Sequence, residues 1–368
     1  MDDIECWLIL HHTPRLGSRG VAELVARFGS PCAAMEAVAA GLELALAGEA
    51  LTYLRTPDLA PVRADLAWLQ GPKRHILTPA DVRYPPLLAR TADPPQVLYV
   101  VGDPEVLAQP QVAVVGSRHP SPGGTETAFE LARGLAAAGL VVTSGLAAGV
   151  DGAAHRGALA ANGLTVAVAG TGLDRVYPAR HRDLAHRIAA DGALVSEYWP
   201  GTPPLGENFP RRNRILAGLA LGTVVVEAAL RSGSLISARL AAEEGRQVFA
   251  VPGSIRNPLA RGCHALIRDG ATLVEAPEDV LGELAPLLRA FTAGRPPADT
   301  AVGHPPAGAF DPDHARVLDV MGYDPVAVDT LVTRSGLTAE AVSSILLLLE
   351  LQGLVVSHGG GRYSRVAQ

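Results

Sequence analysis

The patterning of this 368-residue chain predicts an α/β fold: a Rossmann-like parallel sheet core with a helical N-terminal domain and a C-terminal winged helix. Three observations lead there. Between residues 76 and 285 short apolar runs alternate with helix-length stretches. Glycines and small polar residues collect just after those runs. A Gly-, Pro- and Ala-rich segment then separates this region from a last stretch that reads as three helices and a hairpin.

Residues 1–75 read as short helices. Ile4 to Leu10 is an apolar helical stretch, followed by the turn Thr13-Pro-Arg-Leu-Gly17. Ser18 is then placed to cap a second helix carrying Val21, Leu24, Val25 and Phe28. Two helices around a Gly-containing turn make a helix-hairpin-helix candidate, whose second N-terminus would receive a phosphate. A small bundle that only packs is preferred, because the segment is net acidic.

The strand candidates of residues 76–285 are Val112–Val115, Leu140–Thr143, Thr165–Ala169, Ala193–Ser196, Thr223–Val226, Gln247–Val251 and Thr272–Glu275. Helix-length stretches such as Thr125–Ala138 and Leu235–Glu244 lie between them. In an open parallel sheet the residues after each strand share one edge, where ligands bind. Residues 286–310, with Gly294-Arg-Pro-Pro297 and His304-Pro-Pro306, read as a linker. In residues 311–368, helices over Asp313–Val320, Val326–Thr333 and Thr338–Gln352 precede a hairpin over Gly353–Tyr363, the order of a winged helix.

Composition narrows the function classes. The net charge of −6 argues against a general DNA-coating protein. Its distribution says more: residues 105–275 carry 16 Lys+Arg against 14 Asp+Glu, while both flanks are acidic. A polyanion, if bound, binds in the middle. Lys73 is the only lysine, so phosphate contacts fall to arginines, polar side chains and backbone N–H groups. No stretch resembles a signal peptide, and no apolar run approaches the roughly 18 residues of a membrane span. Cys6, Cys32 and Cys263 are scattered and odd in number, so neither a disulfide framework nor a metal or redox site is expected, which fits a reducing cytoplasm. The histidines show no ligand spacing, and no metal or cofactor is expected.

The chemistry-bearing motifs sit on the predicted sheet edge. Gly116-Ser117-Arg118-His-Pro-Ser-Pro-Gly-Gly124 follows the first strand and opens a helix, an anion-binding nest. It is not GxGxxG, and the second strand ends in Thr143-Ser144 where a ribose-binding acid is needed, so a nicotinamide dinucleotide is not expected. No GxxxxGK[ST] P-loop exists either. Asn208-Phe209-Pro-Arg211-Arg212-Asn213-Arg214 places arginines for phosphates beside an aromatic for base stacking, the chemistry of a single-strand binder. Leu230-Arg231-Ser232-Gly233-Ser234 makes a second nest. Ser144-Gly145 and Gly170–Pro178 complete the rim.

In this order, Gly116-Ser-Arg118, Ser144-Gly-Leu-Ala147 with Gly149-Val-Asp151, Gly172-Leu-Asp174 with Tyr177-Pro178, Ser196-Glu-Tyr198, Asn208–Arg214, Ser232–Leu235 and Val251-Pro-Gly253 resemble the DNA-processing protein A (DprA/Smf) family over roughly residues 80–280. The resemblance implies a homodimeric bacterial protein that binds incoming single-stranded DNA in natural transformation, protects it and passes it to the RecA recombinase. It places Gly116, Ser117, Arg118, Phe209, Arg211, Arg212, Asn213 and the Arg231–Ser234 loop in the DNA site. Some relatives carry a lysine just before the Phe, where this chain has Gly206-Glu-Asn208; Arg180 and Arg231 are the candidates to replace it.

Two rival readings remain at this point. Similar folds include nucleoside-monophosphate phosphoribohydrolases, in which Glu227 would act as a general base with Asp151, Asp174 and Glu197 nearby. Their glycine-rich PGGxGT loop is absent, and a non-catalytic reading in which these acids bind loop N–H groups is preferred. A winged helix reading duplex DNA is disfavoured because the third helix has no Arg or Lys and carries Glu340 and Glu350. Docking to a protein partner or to the chain itself is expected of residues 310–368 instead.

Overall fold

Asp2 starts the first helix with a capping box: its carboxylate accepts from the Glu5 N–H at 2.9 Å, and the Glu5 carboxylate accepts from the Asp2 N–H at 3.1 Å. The computed structural model describes residues 2–40 and 46–293, and beyond them 312–321, 326–339, 341–342, 345–346, 349, 355–358 and 362–365. They form two compact units, Met1–Arg295 and Pro296–Gln368.

The first unit begins with five helices: α1 (Asp3–His12), α2 (Gly17–Phe28), α3 (Pro31–Ala39), α4 (Gly48–Arg55) and α5 (Leu59–Leu69). Gly29 ends α2 in the left-handed conformation, and Ser30 with Pro31 then starts α3. Ser18 lies inside α2 and does not cap it; the N-cap position is Leu16, without a side-chain bond. The Ser18 hydroxyl instead donates to Glu197 Oε1 at 2.8 Å. The first turn of α2 is thus tied through this hydroxyl to a protein carboxylate.

The expectation of unpaired cysteines is corrected by the structure: Cys6 of α1 and Cys32 of α3 form a disulfide with Cα atoms 5.3 Å apart. Their separation in sequence concealed that α1 and α3 lie side by side. Cys263 is free and buried.

A nine-stranded sheet follows: β1 (Arg74–Leu77), α6 (Pro86–Ala89), β2 (Leu98–Gly102), β3 (Gln111–Gly116), α7 (Pro122–Ala137), β4 (Val141–Ser144), α8 (Val150–Ala160), β5 (Thr165–Val168), α9 (Arg182–Asp191), β6 (Ala193–Ser196), α10 (Asn208–Leu219), β7 (Gly222–Val226), α11 (Ser234–Glu243), β8 (Gln247–Ala250), α12 (Arg261–Arg268), β9 (Thr272–Leu273) and α13 (Pro277–Ala293). The strand order is β1-β2-β6-β5-β4-β3-β7-β8-β9. Strands β3 to β9 pair in parallel, while β2 pairs antiparallel with both β1 and β6. The sheet is therefore mostly parallel, with an antiparallel extension absent from the sequence reading. Helix α13 runs through Pro286 to Ala293, eight residues into the segment read as linker.

Alternate residues of the strands feed opposite cores. Val115 and Val225 pack under Ile215, Leu216 and Leu219 of α10. Val114 and Val224 pack under Leu131 and Leu135 of α7 and Leu284 of α13. The helical bundle closes over the antiparallel edge through Tyr99 and Ile76. There the Tyr99 hydroxyl donates to Asp65 at 2.7 Å, and the His12 Nε2 meets the same carboxylate oxygen at 2.7 Å.

The second unit contains α14 (Pro312–Met321), β10 (Val326–Ala327), α15 (Val328–Ser335), β11 (Val355–His358) and β12 (Arg362–Arg365). Its strands form an antiparallel sheet in the order β10-β12-β11. Val317, Leu331, Val342 and Leu349 make its core. Most of the helix read over 338–352, linker residues 294–310 and the hairpin turn at 359–361 lie outside the described residues.

Candidate nucleic-acid interface

Chain order along the sheet reverses between β3 and β7, and the crevice at such a switch point is where open α/β sheets bind ligands. Gly116 ends β3 there. A Cβ at this position would collide with the Val226 carbonyl, so only glycine lets the two strand ends approach. The result is a cleft of about 480 Å³. Ten of the predicted site residues line it: Gly116, Ser117 and Arg118 after β3, Phe209, Arg212 and Asn213 on α10, and the Arg231-Ser232-Gly233-Ser234 loop after β7.

The rim centres on Phe209. The Arg118 guanidinium carbon lies 5.5 Å from the centre of the Phe209 ring, and the Tyr177 ring lies 5.5 Å from that same ring at an interplanar angle of 48°. Arg118 is exposed and Tyr177 is 48% exposed. A cation and two tilted aromatic rings thus cluster around Phe209, groups of the kinds that meet phosphates and bases in single-strand binders. Across from them the Ser232 and Ser234 hydroxyls share a hydrogen bond of 2.7 Å, and the Asn213 amide reaches the Gly233 carbonyl at 3.4 Å.

Arg212 does different work. It is buried and donates to the carbonyls of Gly145 (2.7 Å) and Val168, tying α10 to the ends of β4 and β5. Its Nε has no protein partner. Burial lowers the guanidinium pKa against the raising effect of Asp151. Burial raises the Asp151 pKa in turn, with Arg212 and the Ala147 N–H acting against it. Arg212 therefore forms the charged floor of the cleft.

Four predicted residues do not line the cleft. Ser144 is buried, its hydroxyl donating to the Val114 carbonyl at 2.6 Å. Gly145 is buried beneath Arg212, whose guanidinium occupies the space a Cβ would need. Arg180 is exposed on the turn beyond Tyr177. Arg211 faces a second groove on the other side of α10. Arg214 is engaged by Glu197 and by Asp93, the latter at 3.0 Å.

The acidic residues of the edge hold loops. Glu227 accepts from the Ser121 N–H (2.7 Å), the Ser121 hydroxyl (2.6 Å) and the Asn257 amide (3.0 Å). Asp174 accepts from the Gly201 N–H at 2.8 Å and from Arg175. Glu197 faces α2 and Arg214, away from the cleft. Among the described residues, no group of three His, Cys, Asp or Glu is placed to hold a metal ion, and no helix is long and apolar enough to cross a membrane.

Sequence reasoning placed Tyr177 in the rim loop Gly170–Pro178 but did not name it as a site residue. The signal was an aromatic in a loop at the carboxyl edge of the sheet, two positions after Arg175.

Comparison with known proteins agrees with this architecture. The family model "DNA recombination-mediator protein A" matches residues 75–285, and "DprA winged helix domain" matches residues 295–361. The Smf protein of Escherichia coli is 42% identical over 330 residues, covering 87% of this chain and 84% of that one. The crystal structure of DNA processing protein A from Streptococcus pneumoniae superposes with a TM-score of 0.69 at 37% identity, over 77% of this chain and 99% of that one. The Helicobacter pylori protein, described by its single-stranded DNA binding mode, superposes with a TM-score of 0.52 at 32% identity, over 58% of this chain and 96% of that one. A Rossmann-like core whose switch-point cleft carries the family's motifs, followed by a matching winged-helix segment, places this chain in the DNA-processing protein A (DprA/Smf) family.

Proposed function

We propose that this chain binds single-stranded DNA across the β3/β7 cleft and acts as a non-catalytic mediator that delivers the strand to a RecA-type recombinase. The observation that carries the reading is Arg118 over the Phe209 ring, with Tyr177 beside that ring, at a cleft lined by Gly116–Arg118 and the Arg231–Ser234 loop. Arginine supplies the phosphate contact and the rings supply stacking faces, neither of which reads sequence. The three donors held by Glu227 support a loop-holding role for that carboxylate over the role of general base. Work on incoming DNA in the cytoplasm during transformation, hand-over to RecA and action as a homodimer rest on family membership. A gel shift with single- and double-stranded oligonucleotides, competed with free nucleotides, tests the binding. Preference for the single strand, with no displacement by free nucleotides, is expected; equal affinity for a matched duplex would refute it.

A further inference from the structure

Behind the N-terminal turn of α10 lies a second groove, about 540 Å³, between that helix and the helical bundle. The residues of the first two turns of α10 divide between the two spaces with the helical period. Phe209, Pro210 and Asn213 face the switch-point cleft, whereas Asn208, Arg211 and Arg214 face this groove. One helix turn separates them, a body only about 10–12 Å across.

The groove has the chemistry of a nucleotide site. Trp199 lines it and is 40% exposed, with its ring packed 4.7 Å from that of His12 and 5.7 Å from that of His11. The imidazoles hold the indole in place, leaving part of its surface for a ligand. Arg211 is exposed and enters no ion pair with any described residue. The two carboxylates in the wall, Asp93 and Glu197, are both engaged by Arg214, and Arg19 lies 3.9 Å from Asp93, so two arginines balance the two negative charges. The free charge facing the groove is thus that of Arg211. His11 adds a buried Nε2 without a partner to the wall.

We propose that this groove is a second single-strand subsite: the strand crosses the N-terminal turn of α10, a base stacks on Trp199, and Arg211 meets a phosphate. The inference rests on the binding reading given above and extends the path onto the helical bundle.

Trp199 is itself the probe, because Trp7 and Trp68 are buried at 3% and 7% exposure. Indole emission and oligonucleotide anisotropy are followed together as the full chain is titrated with an oligothymidylate of about twelve nucleotides, long enough for both subsites. Binding is expected to quench the emission in the wild type, and Trp199→Phe, which conserves the packing, is expected to abolish the quench. Arg211→Gln is expected to lower the salt slope by about 0.7, one phosphate contact. Trp199→Ala is expected to weaken binding at least fivefold, the lower end of one lost stacking contact. Binding by anisotropy without quenching, with both Trp199→Ala and Arg211→Gln at wild-type affinity and slope, would overturn the inference and leave the first cleft standing. No binding by the wild type would overturn both.

Discussion

The guanidinium of Arg118 lies 5.5 Å from the centre of the Phe209 ring, so the cation proposed to meet phosphate and the ring proposed to stack on a base lie against each other before any strand arrives. The two contacts are therefore coupled. Phe209→Ala is expected to cost roughly 1–3 kcal/mol of single-strand affinity. The double substitution with Arg118→Ala should cost less than the sum of the two, by about 1 kcal/mol. A double-mutant cycle of dissociation constants checks it; strict additivity would mean that the arginine leaves the ring on binding.

Arg212 is expected to behave as a structural residue. Arg212→Ala leaves the Gly145 and Val168 carbonyls without their charged donor, and a loss of about 3 kcal/mol in unfolding free energy is expected. Both bonds come from the same Nη1, so lysine replaces at most that nitrogen and leaves empty the space beside Gly145 that the rest of the guanidinium fills. Urea melts of both variants check this, and Arg212→Lys at wild-type stability would contradict it.

That contrast shows what the sequence revealed of the site. Arg211, Arg212 and Arg214 form a dense basic cluster in the chain, but a helix turns about 100° per residue. The structure sends them to a groove, to the sheet carbonyls and to Glu197. Only the positions that end a strand, Gly116–Arg118 and Arg231–Ser234, could be placed in space from order alone, because every parallel strand delivers its end to one edge. Strands β3 to β9 were legible for the same reason, as apolar runs separated by helix-length stretches. Strands β1 and β2 were not: they pair antiparallel at the edge, and a short helix over Pro86–Ala89 is all the regular structure between them. The Cys6–Cys32 bridge depends on helix packing, which no spacing rule reports.

That bridge closes a loop with a sequence separation of 26, and reduction is expected to cost about 3 kcal/mol of stability in the first unit. Thermal unfolding with and without a thiol reductant checks it. The Cys6→Ser, Cys32→Ser double variant should melt like the reduced protein and show no response to reductant.

Acid is expected to destabilise the first unit through two buried imidazoles. Burial pushes His11 down to about 4 and His155 down to about 3. Unfolded histidines take up a proton near pH 6.5, so the unfolded state binds more protons below that value. Both contributions are complete above pH 6.5 and are lost as the pH falls toward 4 and 3 respectively. They amount to on the order of 3 kcal/mol for His11 and on the order of 5 kcal/mol for His155 when fully developed. Urea midpoints at pH 7 and pH 4.5 follow the loss. His155→Gln, which keeps a donor toward the Thr165 hydroxyl, should flatten the profile.

The most direct test of the strand's place in the β3/β7 cleft is the salt dependence of Arg118→Ala. Anisotropy titrations of one single-stranded oligonucleotide from low to high salt give the slope of log K against log salt for wild type and variant. Loss of one phosphate contact should weaken binding to all sequences alike and reduce the slope by about 0.7. If Arg118→Ala matches the wild type in affinity and slope throughout, residues 116–118 form only a structural turn, and the strand does not lie in this cleft.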